Sequence, residues 1–86
     1  MFAQDTAPFV RVTVGTPIVT ADFERLGTVK GIRGTYFRVK AGLLHRDYWL
    51  PVTTVDEAVP DEVVVLTVTK AQVDEYKSYR DPHEAA

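Results

Sequence analysis

"RLGTVKGIRGTYFRVK", residues 25–40, decides the fold. Its apolar residues Leu26, Val29 and Ile32 recur every three positions. That spacing fits neither a flat strand, whose faces alternate every second residue, nor a helix that would have to carry Gly27 and Gly31 inside it. A β-bulge at one of the two glycines adds a residue to the count and returns the three side chains to one buried face. Gly34 then sits where a tight hairpin requires a positive φ, and residues 36–40 follow as the return strand. On that strand Phe37 and Val39 point inward, while Tyr36, Arg38 and Lys40 form an outward stripe of one aromatic and two cations. Kinked strands of this kind roll into a small, sharply bent sheet.

Upstream, residues 1–8 are expected to be a flexible segment closed off by Pro8, with one domain over 9–80 and a flexible tail over 81–86. Residues 9–14 alternate cleanly, Phe9, Arg11 and Thr13 against Val10, Val12 and Val14, and predict a half-buried strand. Gly15 to Pro17 bends the chain into a second short strand, with Pro17 tolerated as a first strand residue. The tetrapeptide 21–24 is a reversal in which Asp22 bonds backbone two residues ahead.

Downstream, residues 41–44 are a loop leading to a strand that ends at Pro51, followed by a short turn that buries Val55. Residues 63–66 are apolar on both faces, as a central strand requires. Thr69 and Gln72 spell a capping box, and Asp74 and Glu75 suit the positive end of the helix dipole. Val73, Tyr76 and Tyr79 share one helical face, and the helix should end near Tyr79 or Arg80, ahead of Pro82. The expected fold is therefore mainly β: a small, highly bent antiparallel β-barrel of five to six strands with one short C-terminal helix.

The 86-residue chain has no cysteine. Neither a disulfide staple nor a paired-Cys zinc site is available, so the core, helped by a partner subunit, must hold the fold alone. Formal charge is −2, unevenly spread. Residues 1–50 hold seven Lys or Arg against four Asp or Glu, +3, and residues 51–86 hold three against eight, −5. Such a layout can pair two copies head to tail or steer an oppositely patterned partner, and is a poor footprint for nucleic acid. No secretory signal or membrane span is evident, and a cytoplasmic location is expected.

Chemistry-bearing motifs are few. His45-Arg46-Asp47 shares its letters with a kinase catalytic loop, but the asparagine position of that loop holds Val52 and the chain has no asparagine at all. His45 and Asp47 are two ligands where a catalytic zinc needs three, and His83 lies in the tail; Asp47 is expected to pair with Arg46 or cap the loop. Ser78, the single serine, falls on the outer side of the helix, and Thr53 and Thr54 have no base marked beside them. No catalytic residue, cofactor, metal or small-molecule substrate is expected. The stripe Tyr36, Arg38, Lys40, near Lys30 and Arg33, has the stacking-plus-cation pattern of single-stranded RNA binders. Tyr48 and Trp49 are adjacent rings, one of which can anchor a protein partner.

Gly15-Thr16-Pro17-Ile18-Val19, Leu26-Gly27-x-Val29, Tyr48-Trp49-Leu50-Pro51 with Val55, and a last strand running into Thr67-Val68-Thr69-Lys70 together resemble a PRC-barrel domain, in particular small stand-alone bacterial domains of unknown function. The resemblance covers about residues 12–76. It implies a docking module: relatives of the fold form part of the reaction-centre H subunit and the ribosomal-protein-binding half of a ribosome maturation factor. That family's first hairpin usually carries Asp-Gly at its tip, whereas here Phe23 follows Asp22, which leaves an aromatic that either stands exposed as a contact residue or folds back over the barrel. The expected function is a non-enzymatic, self-associating protein-interaction domain, possible contacts being Phe23, Tyr36, Arg38, Lys40, Tyr48 and Trp49. An RNA- or ribosome-associated module is the alternative.

Overall fold

The computed structural model describes residues 12–42 and 44–81. Six strands and one helix follow in order: β1 (Pro17–Val19), β2 (Arg25–Arg33), β3 (Tyr36–Lys40), β4 (Tyr48–Pro51), a single 3-10 turn (Val52–Thr54), β5 (Val55–Val59), β6 (Val63–Leu66) and α1 (Lys70–Tyr76). They form one sheet in the order β4-β3-β2-β1-β6-β5. Every pairing is antiparallel except β1 with β6, which is parallel.

The architecture is mainly β with a short C-terminal helix, as expected, but the sheet is open and mixed rather than a closed antiparallel barrel. It is nonetheless strongly curled. Pro51 ends β4 and Val55 opens β5, so the two sheet edges are joined by a three-residue turn that keeps them within about 14 Å at that corner. Six strands laid flat would hold those edges about 24 Å apart.

β2 takes two bulges. Its pairing with β1 slips between Ile18 and Val19, leaving Leu26 as the extra residue, and its pairing with β3 slips between Val29 and Gly31, leaving Lys30. The irregular spacing is thus absorbed beside both glycines, although only partly into one face: Val29 is buried, Leu26 packs at the core margin, and Ile32 is exposed. Gly34, at φ 61°, makes the β2–β3 hairpin.

The concave side holds the core, in which Ile18, Val29, Phe37, Val39, Leu50, Val64 and Leu66 are fully buried. Val73 of α1 closes it from one end. Sealing Phe37 from water contributes about 2–3 kcal/mol. β6 runs between β1 and β5, the interior place its double-sided apolar pattern requires.

Two expectations are corrected and one is extended. Of the strand predicted over 9–14, the part that falls within the described residues is irregular and turning, with Val12 buried and Val14 exposed. Phe9, Val10 and Arg11 lie outside the described residues, as do segment 1–8, His83 and the tail beyond Asp81. Val55, placed at the end of a turn and buried as expected, opens β5 (Val55–Val59), of which residues 56–59 were not assigned from sequence. The helix stops at Tyr76: Lys77 is its C-cap with extended backbone (ψ 145°), and Ser78 then pairs with Trp49, each N–H donating to the other's carbonyl at 2.7 and 3.0 Å. Satisfying the free edge of β4 outweighs another helical turn.

Candidate functional site

A concavity of about 850 Å³ forms an open groove between the tip of the β1–β2 hairpin and α1 on one side and the loop before β4 on the other. Leu26, Ala41, Tyr48 and Val73 supply its apolar lining.

The hairpin tip is built around a buried threonine. The Thr20 hydroxyl accepts from the Glu24 N–H at 3.0 Å and donates to the Asp22 carboxylate. The Thr20 N–H bonds the Glu24 carbonyl and the Phe23 N–H bonds the Thr20 carbonyl, both at 2.9 Å. Asp22 therefore does not reach backbone two residues ahead, as the sequence predicted. Its carboxylate accepts from Thr20 and from the Lys70 N–H at 3.2 Å, tying the tip to the start of α1. The hydrogen bond from Thr20, opposed by partial desolvation, holds that carboxyl below its usual range. At the other end of this link the capping box forms as read, with the Gln72 N–H on the Thr69 hydroxyl and the Thr69 N–H on the Gln72 side chain.

Within this braced turn Phe23 adopts φ 64° and is 82% exposed. A bulky L-residue in the left-handed region costs about 1–2 kcal/mol, and the ring recovers little of that by burial.

Across the groove, Leu44 is 95% exposed. Beside it Arg46 lays its guanidinium over the Tyr79 ring at 4.7 Å. The Lys77 ammonium stands over Tyr48 at 5.0 Å and Tyr79 at 5.5 Å, and pairs with Asp74 at 2.8 Å. The two rings meet edge to face at 6.2 Å. These contacts leave the Lys77 pKa raised, chiefly by its hydrogen bond to Asp74, while desolvation pushes the Tyr48 phenol up. Tyr48 accordingly has one face in the core and one edge on the groove.

The outward stripe lies on the other face of β3. Arg38 is opposite Trp49 in the β3–β4 ladder, with its guanidinium 5.8 Å from the ring centre. Trp49 is only 9% exposed. Asp47 pairs with Lys30 at 2.7 Å and Arg38 at 3.8 Å, not with Arg46. The hydrogen bond from Lys30 keeps its carboxyl below the usual range. Arg33 pairs with Asp81 at 2.6 Å. Tyr36 is half-buried and Lys40 exposed.

The six side chains singled out from sequence are therefore split. Tyr48 lines the groove, and Phe23 sits at the hairpin tip between two groove-lining residues, Asp22 and Glu24, without lining it itself; Tyr36, Arg38 and Lys40 stand on the opposite face with Trp49. Sequence reading did not single out Leu44 or Lys77, and it placed Arg46 only as a partner of Asp47 and Tyr79 only on a helical face with Val73 and Tyr76. The available signal for Leu44 was a leucine in a glycine-containing loop, where burial has no strand or helix to serve it. Among the described residues no group of three His, Asp or Glu side chains could hold a metal, and no helix is long and apolar enough to cross a membrane.

The chain belongs to the family described as an uncharacterized protein conserved in bacteria, DUF2171, whose model matches residues 12–74. The match takes in the hairpin tip, the loop and most of α1, and stops short of Lys77 and Tyr79. No curated protein and no solved structure matches the chain.

Proposed function

We propose that this member of the family is a non-enzymatic protein-docking domain that binds its partner through the groove face, and that its curled sheet is a variant of the PRC-barrel-like fold. The observation that carries the reading is Phe23: a fully displayed ring held at φ 64°, on a turn braced by Thr20, Asp22 and Lys70. Glycine would fill that position without strain. Leu44 across the groove and the half-exposed Tyr79 add apolar surface to the same face, and exposed aromatics set beside cations are the anchors protein interfaces favour.

Support for the alternative, an RNA-binding stripe, is weakened by how its cations are spent. Lys30 and Arg38 share Asp47, and Arg33 pairs with Asp81. Phosphate would have to displace these carboxylates before any counterion release could favour binding.

The test is a photo-crosslinking amino acid placed at Leu44 in the living bacterium, with the same probe at Glu62, on the β5–β6 turn at the far end of the strands, as control. Discrete protein adducts from position 44 and not from 62 are expected. Phe23→Gly should abolish them while changing stability by less than about 1 kcal/mol, since relief of backbone strain offsets the small lost burial and the flexibility gained by the unfolded chain. Equal labelling from both positions would refute the reading.

A further inference from the structure

Resting on that docking reading, we infer that the occupant of the groove face is a second copy of this chain, related by a two-fold axis through the groove. The face is self-complementary. One side presents Phe23 next to Glu24, and the other presents Leu44 close to Arg46; Glu24, Leu44 and Arg46 all line the same concavity. Among the described residues Glu24 has no cationic partner, and Arg46 touches only the Tyr79 ring and no carboxylate. Both charges are exposed. Of the other acids on the groove, Asp74 is paired with Lys77 and Asp22 accepts from the Thr20 hydroxyl and the Lys70 backbone N–H, while the Arg25 and Lys70 side chains have no carboxylate partner among the described residues.

An isologous interface requires that one patch carry both halves of each contact. A two-fold through this groove sets Phe23 of each protomer against Leu44 of its partner and Glu24 against Arg46, each pair occurring twice. Glu24 and Arg46 then each gain a partner, and the two most exposed large apolar side chains in the described chain are both covered. A foreign partner would need to supply an acid and a base in the same arrangement; a second copy brings them already placed.

The experiment is a charge swap read by sedimentation equilibrium of the full chain at up to about 100 µM, where an interface with Kd on the order of 10 µM is mostly assembled. Wild type should be dimeric. Glu24→Arg and Arg46→Glu each turn two attractions into two repulsions and should weaken the dimer about ten- to hundredfold. An equimolar mixture of the two variants should restore it, because in the mixed dimer the introduced arginine faces the introduced glutamate and the native Glu24 faces the native Arg46. A monomeric wild type, a dimer indifferent to either reversal, or failure of the mixture to reassociate would each overturn the inference. Docking of a different protein would survive those results and would show as adducts from Leu44 heavier than a cross-linked pair of this chain.

Discussion

Gly27 and Gly31 stand four residues apart in β2, look equivalent in sequence, and should respond oppositely to a methyl group. A Cβ on Gly27 would lie 2.0 Å from the Lys40 carbonyl oxygen, 3.0 Å from its carbon and 3.2 Å from the Ala41 Cα, and the residue sits at φ 154°. All three neighbours are backbone, so no side chain can swing aside. Reaching ordinary contact near 3.5 Å requires β2 and β3 to part by about 1 Å or more, enough to break one or two ladder hydrogen bonds. Those bonds are worth about 1 kcal/mol each, with a further ~1–3 kcal/mol where a buried group is left unpaired. Backbone strain adds about 1–3 kcal/mol.

Gly27→Ala should therefore cost about 3–8 kcal/mol. An 86-residue domain has about 4–13 kcal/mol to lose, and its melting point should fall by about 12 °C or more. Around Gly31 nothing lies within 4 Å and φ is not positive, so Gly31→Ala should be neutral or stabilise by up to ~1 kcal/mol through a less flexible unfolded chain. Urea unfolding followed by the emission of Trp49, the sole tryptophan, measures both. If Gly27→Ala fell within 1 kcal/mol of the parent, or Gly31→Ala were equally damaging, the bulged close approach of β2 to β3 would be wrong.

Two further outcomes follow from the opposite face. Asp47 has its pKa depressed by Lys30 and Arg38, so its contribution to stability is complete above the unfolded value near ~4 and is lost as pH falls through the lower folded value. Asp47→Asn should lower the melting point at pH 7 and should converge with wild type in acid; a gap that stays constant down to about pH 2 would contradict the assigned pair. Ser78→Pro deletes the N–H that bonds the Trp49 carbonyl at 3.0 Å and should cost about 1–3 kcal/mol with a red shift of Trp49 emission. Ser78→Ala, whose lost hydroxyl bonds only Arg80 locally, should do neither.

What could be read from sequence and what could not divides along locality. The Thr69–Gln72 capping box, Gly34 at the hairpin and a bulge beside Gly27 or Gly31 are set by residues a few positions apart and were legible, whereas the second bulge and the exposure of Ile32 were not. The pairing of β1 with β6 joins Ile18 to Val64 and leaves no local trace. β5 was hidden because the bulge at Asp56, between the partners of Leu66 and Val65, breaks its two-residue alternation: Val55 and Ala58 are buried three positions apart. Tyr79 continued a helical spacing of three from Tyr76, yet the chain leaves the helix at Lys77 because the edge of β4 offers Ser78 two backbone bonds. For the groove face, Phe23 was visible through its departure from the usual glycine. Arg46, Lys77 and Tyr79 were not, since their stacking depends on how far the helix runs.

The open sheet raises the question of why a partner should use side chains on the groove rather than add a strand to an edge. Both edges are guarded. On β4 the residue after the helix occupies the ladder at Trp49. On β5 the bulge at Asp56 twists the edge, and exposed Asp56 and Glu57 would face like charges in any pairing of two copies through this strand. Main-chain augmentation is thereby disfavoured at both ends of the sheet, and most strongly for a second copy. The groove face carries no such device: it shows unpaired charges of both signs and two uncovered apolar side chains, one of them held at a cost in backbone strain. On the docking reading proposed above, protected edges and an exposed Phe23 would direct association to the groove face, where side-chain chemistry, and so specificity, would decide the partner.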